Sequence, residues 1–232
     1  LPLMVVSIAG FVMLIDSVGR ELRFANIYSR TSNAGLRAIR AIFPAPFTPG
    51  GENGPARGGP LERATRVIFY RGESGIIHDI DGARLVAEAR RVNGAIVLLR
   101  AIGDHIYPGI PLYRVCEGAP SVRDELLRRS VHVGRERSLE RDPGYAIRLL
   151  VDIAERALSP AVNDPTTAVG CLDRLELLLH ELGHRNLGAG HLADDDGTVR
   201  VRIPAASWRD YVRLACDEIR FYGIESFQVT RR

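Results

Sequence analysis

The 232-residue sequence contains no lysine, since all 31 of its basic residues are arginine. This absence excludes chemistry that depends on lysine, such as Schiff-base catalysis, the lysine of a phosphate-binding loop, lipoylation and biotinylation. Cysteine is also scarce. Cys116, Cys171 and Cys216 are odd in number and far apart, so they predict reduced thiols rather than a disulfide framework. The net charge of +3 is too small to indicate a nucleic-acid partner, and we expect none.

The first 15 residues carry no charge and consist mostly of Leu, Val, Ile, Met and Phe. As a helix they would extend about 22 Å, short of the roughly 30 Å hydrocarbon core of a bilayer. No basic region precedes them, as it would in a signal peptide. We therefore expect the end of a membrane helix whose beginning is missing, bound to membrane lipid. The alternative is a short helix buried in a protein core.

Arginine dominates residues 16–43, where the only acidic residues are Asp16 and Glu21. Positive charge beside an apolar span marks its cytoplasmic flank, so we expect an inner-membrane protein with the rest of this chain in the cytoplasm. Apolar residues recur there at helical spacing and predict an amphipathic juxtamembrane helix. Such a helix favours a homo-oligomer, because it can pack on copies of itself. The arginines are Arg20, Arg23, Arg30, Arg37 and Arg40, and the apolar residues are Val18, Leu22, Ala25, Ile39 and Ile42.

Proline and glycine divide the chain. Residues 44–60 hold five of each and predict a linker between a membrane-proximal part, residues 1–43, and the soluble part. Residues 61–118 are rich in Val, Ile and Tyr and predict a small β-rich, barrel-like subdomain of order β-β-α-β-β. Lipoyl-like carrier domains share this pattern, but they need a lysine at a hairpin tip, and this sequence has none. The predicted strands are 66–70, 75–80, 95–100 and 105–115, with a helix capped at Asp81 before the third.

Residues 119–232 predict a helical subdomain with one late strand, 198–203, which makes the fold class α+β. Ser121 and Asp124 match a capping box for a helix over 122–131. Two aspartate–proline steps, Asp142-Pro143 and Asp164-Pro165, predict the starts of helices over 143–158 and 166–182. The aspartates 194–196 predict a hairpin turn. A last helix presents the inner stripe Trp208, Tyr211, Ala215, Ile219 and Tyr222.

A polar turn between the two buried helices is the first candidate ligand site. A helix N-terminus preceded by polar side chains can hold a small anion. The same residues are also explained as a turn and an N-cap with no ligand. The candidate residues are Asn163, Asp164, Thr166, Thr167, Asp173 and Arg174.

The motif HELGH offers an alternative metal site. In zinc proteases two histidines one helical turn apart bind the metal and the glutamate acts as general base. Here these residues are His180, Glu181 and His184, and His191 is the candidate third ligand. The histidines share a polar helix face with Asp173, and the following glycines indicate that the helix ends at the second histidine. We therefore expect no cofactor, with zinc as the alternative.

The run RALSPAVNDPTTAVGCLDRL, residues 156–175, resembles a bacterial family of predicted membrane proteins known as domain of unknown function 2254. The runs RDPGYAIRLLVDIA, GDHIYPGIPL and DDDGTVRV are similar to the same family. The resemblance implies several membrane helices followed by a soluble domain, and it implies no established activity. We expect a non-enzymatic structural, regulatory or ligand-sensing role for this chain. The alternatives are a membrane-tethered zinc metallohydrolase and the regulatory domain of a transporter or channel.

Overall fold

A computed structural model of the chain describes residues 24–47, 64–116, 121–188 and 190–232. The predicted membrane helix and most of the predicted linker lie outside these residues. The described helices are α1 (Phe24–Ile42), α2 (Gly82–Arg91), α3 (Asp124–Arg128), α4 (Pro143–Leu158), α5 (Pro165–Gly183), α6 (Trp208–Tyr222) and α7 (Phe227–Thr230). The described strands are β1 (Ala64–Phe69), β2 (Gly75–Ile80), β3 (Ala95–Leu98), β4 (His105–Ile106), β5 (Pro111–Cys116), β6 (Val131–Gly134), β7 (His191–Ala193) and β8 (Val199–Arg202).

The strands form two open sheets, so the α+β class is confirmed and the barrel-like closure is wrong. The larger sheet has the order β1-β5-β3-β8-β7 and the smaller has the order β4-β2-β6, with no closed barrel among the described strands. The prediction of one late strand is also wrong, since β7 and β8 form an antiparallel hairpin. The hairpin joins the larger sheet where β8 pairs in parallel with β3, placing Ile96 opposite Val201. The predicted hairpin turn at aspartates 194–196 is confirmed.

Local turn chemistry explains the strand boundaries. Strand β2 has the predicted bounds. The predicted strand 105–115 is interrupted, because Gly109 has a φ of +91° and turns the chain between β4 and β5. A left-handed backbone at this position suits glycine, which has no Cβ.

A fully buried acid belongs to the core beneath the sheets. Glu88 of α2 is fully buried, and Arg91 and Arg123 donate to its carboxylate at 2.7 and 2.6 Å. These arginines hold the pKa of Glu88 well below its usual range. The backbone N–H of Arg123 also donates to Glu88, at 2.9 Å, and α3 begins only at Asp124 with no side-chain cap. The predicted capping box at Ser121 is therefore wrong.

The helices pack around a second core. Asp142 and Asp164 cap α4 and α5 as predicted, each accepting a hydrogen bond from a backbone N–H three residues later. Helix α1 lies against both. At Gly35 the approach is close enough that a Cβ would lie 2.8 Å from the Cβ of Ala146. Helices α6 and α7 complete this layer.

Helix α1 has the predicted amphipathic character. Ala34, Ala38 and Ile39 are buried, whereas Arg37 and Arg40 are exposed. The apolar face is covered by α4 and α5 of the same chain. The face of α1 on which the homo-oligomer prediction was based is therefore already packed within the chain. The homo-oligomer stays a prediction. The boundaries at residues 43, 60 and 118 also stay predictions.

Candidate ligand-binding site

The turn before α5 has a structural role in this fold. The backbone N–H and the Oγ1 hydroxyl of Thr167 donate to the Asp164 carboxylate at 3.1 and 2.5 Å. These hydrogen bonds lower the pKa of Asp164. Asn163 turns the chain with a φ of +45°, and both Asn163 and Thr166 are exposed. The Asp164 carboxylate, which the sequence suggested as a ligand-binding group, is therefore hydrogen-bonded to the first turn of its own helix.

The other two predicted residues of this site lie farther along the helix. Asp173 and Arg174 are about 14 Å from Asp164 along the axis of α5. Asp173 accepts from Arg232 at 2.6 Å, and the guanidinium of Arg174 lies 6.0 Å from the centre of the Tyr28 ring. The structure thus brings together Asn163, Asp164, Thr166 and Thr167 but not all six residues. Their role in ligand binding stays a prediction.

The HELGH motif ends α5. His180 and His184 are both exposed, with ring centres 4.4 Å apart, and His184 lies just past the last helical residue. Nδ1 of His184 is 2.8 Å from the carbonyl oxygen of His180. Glu181 accepts from Arg40 at 3.1 Å and from Arg185 at 2.5 Å, and these arginines lower its pKa to about 2. A base so strongly paired with arginine is poorly suited to accept a proton.

His191, the candidate third ligand, is exposed on β7. Among the described residues no three His, Cys, Asp or Glu side chains are grouped as a metal site requires. The zinc interpretation stays a hypothesis that metal analysis can test.

A cleft lies where the two cores meet, at the C-terminal end of α1. Its volume is about 540 Å³, within the usual range for small-molecule sites. Most of the lining is apolar and comes from α1, α4, α6 and the loops that flank the sheet. The lining residues fall in segments 42–45, 101–102, 137–144, 186–188, 190–192 and 203–214.

One ion pair organises the polar side of this cleft. Asp142 is buried, and Nε and Nη2 of Arg137 donate to its Oδ2 at 2.9 and 2.6 Å. Its other oxygen accepts the backbone N–H of Tyr145 and caps α4. The guanidinium of Arg137 also lies 4.9 Å from the centre of the Tyr145 ring. These contacts fix Arg137 and the first turn of α4 at the edge of the cleft.

Gly103 is essential to the same arrangement. Its φ is +90°, and a Cβ there would lie 2.7 Å from Oδ2 of Asp142 and 2.9 Å from Nη2 of Arg137. A side chain at this position would displace the ion pair. The glycine therefore lets the turn before β4 approach the start of α4.

The opposite wall of the cleft is formed by α6. Tyr211 is buried against the first turn of α4, and this burial raises its pKa to about 12. Asp210 completes a reciprocal cap with Ser207 at the start of α6, which lowers the pKa of Asp210. Arg141 pairs with Asp79 at 2.9 Å. The acids on this lining, Asp142 and Asp210, thus have partners of their own, which leaves a mainly apolar recess.

Sequence reasoning did not identify this cleft. The available signal was the pair of motifs RDPGYA and GDHIYP, which supply Arg141–Gly144 to the lining and Gly103 to the ion pair. The sequence marked both motifs as distinctive but did not show that they lie close together in the fold. The two motifs meet only because α4 starts beside the turn that precedes β4.

A cluster of acids also lies between α4 and α6. Arg148 donates to Glu218 at 2.5 Å and to Asp152 at 2.6 Å. Glu155 is half-buried beside this group, and desolvation together with its hydrogen bond to Glu218 raises its pKa to about 7. Hydrogen bonding from Arg148 lowers the pKa of Glu218 to about 2.

No helix within the described ranges combines the length and apolarity needed to cross a bilayer. Residues 1–23, which hold the apolar run, are not among those ranges.

Comparisons with known proteins place the whole chain in one group. The family model described as predicted membrane protein (DUF2254) matches residues 1–232. Uncharacterized protein Mb1321c of Mycobacterium bovis is 29% identical over 231 residues, which is 96% of this chain and 43% of that protein. Uncharacterized protein MT1328 of Mycobacterium tuberculosis is 28% identical over 229 residues, again 96% of this chain and 43% of the relative.

This chain therefore spans less than half the length of these curated relatives. No solved structure matches it significantly. The family description supports membrane association. The match over the full chain shows that this protein belongs to the DUF2254 family of predicted membrane proteins.

Proposed function

We propose that this chain supplies the cytoplasmic, ligand-sensing part of an integral inner-membrane protein. Residues 1–15 contact lipid, and the cleft at the end of α1 binds a small, mainly apolar ligand. The role is regulatory and not enzymatic. The observation that carries this proposal is the mainly apolar 540 Å³ recess between the two cores, at whose edge Asp142 pairs with Arg137.

The ligand class follows from the lining. A mainly apolar recess favours an apolar body, because burial of apolar surface drives binding. The charged side chains of the lining balance, since two arginines, Arg137 and Arg141, face two aspartates, Asp142 and Asp210, and no net charge of one sign is left to select an ion. We therefore expect an uncharged ligand, or one whose single polar group reaches the edge of the cleft.

The connection to the membrane runs through α1. The end of this helix and the residues after it, Ile42–Ala45, line the cleft, and its other end leads toward the apolar segment. A ligand that contacts Ile42 and Phe43 therefore acts directly on the helix that joins the cleft to the membrane. The arginines of residues 16–43 support the cytoplasmic orientation.

Hydrogen–deuterium exchange of the whole chain in lipid nanodiscs tests the proposal, with indole as a small, uncharged, apolar probe. We expect indole to slow exchange in segments 137–144 and 203–214, because it buries the cleft, and also in the second half of α1. Ala206→Trp, which fills the cleft from an exposed lining position, should abolish this protection. Ala83→Trp, on an exposed site of α2 outside the cleft, should retain it.

The outcomes separate binding from sensing. Protection that persists unchanged in Ala206→Trp would contradict the assignment of the cleft. Protection of the cleft segments without any change in α1 would contradict the sensing role and leave a simple binding site. No protection in the wild-type chain would contradict the apolar ligand class.

A further inference from the structure

Helices α1 and α5 run in parallel, and this determines which ends of the helices lie together. The ring of Tyr28 lies against Gly170, where a Cβ would be 3.2 Å away. Gly35 lies against Leu178, and Arg40 pairs with Glu181. The residue numbers therefore increase in the same direction along both helices. The N-terminal end of α1, next to the apolar segment, lies beside the start of α5.

Two further elements reach the same end. Helix α6 runs parallel to α4, because its start contacts Gly144 through Tyr211 and its later residue Glu218 pairs with Arg148. The last turn of α6 therefore lies at the end opposite the cleft. Helix α7 follows and packs beside the first half of α5, where Arg232 pairs with Asp173.

Several large apolar side chains at this end are exposed. Phe221 is 75% exposed, Ile224 is 73% exposed and Phe227 is 72% exposed, more than any other large hydrophobic residue among those described. Exposed apolar surface of this extent in one place marks an interaction site. We call this set the aromatic end surface; it consists of Ile27, Val162, Phe221, Tyr222, Ile224 and Phe227.

Arginine accompanies these side chains. The guanidinium of Arg231 lies 4.9 Å from the centre of the Phe227 ring, and Arg220 is exposed nearby. Arg232 is exposed as well but pairs with the exposed acids Asp173 and Glu176, and Glu225 is a further exposed acid at this end. Aromatic rings with adjacent arginines are the combination found at the boundary between headgroups and acyl chains.

We propose that the aromatic end surface lies in the headgroup region of the bilayer and docks the helical layer onto lipid. This placement rests on the proposed function, since it requires residues 1–15 to hold the chain at the membrane. The family described as predicted membrane proteins and the apolar run that precedes α1 in the sequence make lipid the occupant of this surface. The docked end carries the turn before α5, and the cleft remains on the side away from the bilayer.

Tryptophan fluorescence with brominated lipids tests the placement, because Trp208 is the only tryptophan and lies at the opposite end of α6. The chain is reconstituted in vesicles of phosphatidylcholine and phosphatidylglycerol that contain brominated phosphatidylcholine. The variant Trp208→Phe/Phe227→Trp moves the reporter to the aromatic end surface, and Trp208→Phe/Phe221→Trp provides a second reporter there. We expect both to be quenched by bromine about fivefold more than wild type.

Two controls identify the occupant. Aqueous acrylamide should quench Trp208 of the wild-type chain more than it quenches the relocated reporters. Relocated reporters that acrylamide quenches freely and bromine does not would overturn the proposal, because the surface would then face water. Reporters shielded from both quenchers would overturn it in favour of a protein partner or a second copy. Failure of the chain to float with the vesicles would contradict the membrane tether itself, and with it this placement.

Discussion

At one end of the helical layer apolar side chains line a recess, whereas at the other end they stand exposed. The cleft end pairs Asp142 with Arg137 and presents apolar walls between elements. The aromatic end surface presents Phe221, Ile224 and Phe227 outward. An enclosed apolar recess suits a small molecule and an open apolar surface suits a large one. The same helices thus support two different kinds of interaction.

The two aspartate caps provide the largest contrast between the ends. Asp142 caps α4 and also neutralises Arg137 in a buried setting, whereas Asp164 caps α5 through Thr167 and pairs with no arginine among the described contacts. We expect Asp142→Ala to reduce the free energy of unfolding by about 3 kcal/mol, since it removes a cap and leaves a partly buried arginine unpaired. Asp164→Ala should cost about 1 kcal/mol, the usual value of a cap. Thermal unfolding in nanodiscs measures both.

Conservative variants sharpen this comparison. Asp142→Asn keeps a capping oxygen but removes the charge that Arg137 needs, so its stability should lie between those of wild type and Asp142→Ala. Equal losses for Asp142→Ala and Asp164→Ala would contradict the special role of the cleft end.

The acid cluster between the ends predicts a pH-dependent effect. Because burial and Glu218 raise the folded-state pKa of Glu155 to about 7, above its unfolded value, its stabilising contribution is full below about pH 4.5 and is lost as the pH rises through 7. Glu155→Gln should therefore stabilise the protein by about 1 to 2 kcal/mol at pH 8 and have little effect at pH 5. Melting curves at both values test this.

Glu218→Gln is the matched control. The folded-state pKa of Glu218 is lowered to about 2, mainly by Arg148, so removal of its charge should destabilise the protein at pH 8. Stabilisation by both variants at pH 8 would show that simple repulsion dominates the cluster.

The smallest effect is expected at the HELGH motif. Glu181→Gln should reduce the free energy of unfolding by less than about 1 kcal/mol, since its arginine partners are partly exposed. The folded-state pKa of Glu181 is about 2, so the contribution of this group is present above about pH 4.5 and declines as the pH falls toward 2. Melting curves at pH 7 and pH 4 test this dependence.

Metal analysis of the same protein separates the ion-pair role from the zinc hypothesis. The ion-pair role predicts that zinc content is less than stoichiometric and unchanged by His180→Ala. Stoichiometric zinc that His180→Ala removes would instead establish the metal site.

Helix starts were predictable from sequence because their determinants are local. Asp142-Pro143 and Asp164-Pro165 place α4 and α5 correctly, since the capping oxygen and the proline act within one turn. The cap at Asp81 likewise predicts the start of α2 correctly. These elements needed no knowledge of the rest of the fold.

The sheet topology and the cleft were not predictable, because they depend on distant segments. The pairing of β3 with β8 joins residues about a hundred positions apart, which no turn signal reports. The predicted cap at Ser121 failed for the same reason, since Glu88 from another helix binds the Arg123 N–H. Likewise, the sequence predicted one site from residues 163–174, whereas in the structure these residues are spread along a helix.

The orientation of the two ends relative to the bilayer is the central claim, and spin-label accessibility measures it most directly. In a Cys216→Ala background the remaining Cys116 and Cys171 are buried, so Gln228→Cys and Ala206→Cys provide labelling sites at the aromatic end surface and at the cleft. In nanodiscs, we expect the label at position 228 to be relaxed mainly by oxygen, which concentrates in lipid. The label at position 206 should be relaxed mainly by a water-soluble nickel chelate. The reverse pattern, or equal nickel accessibility at both positions, would contradict the account.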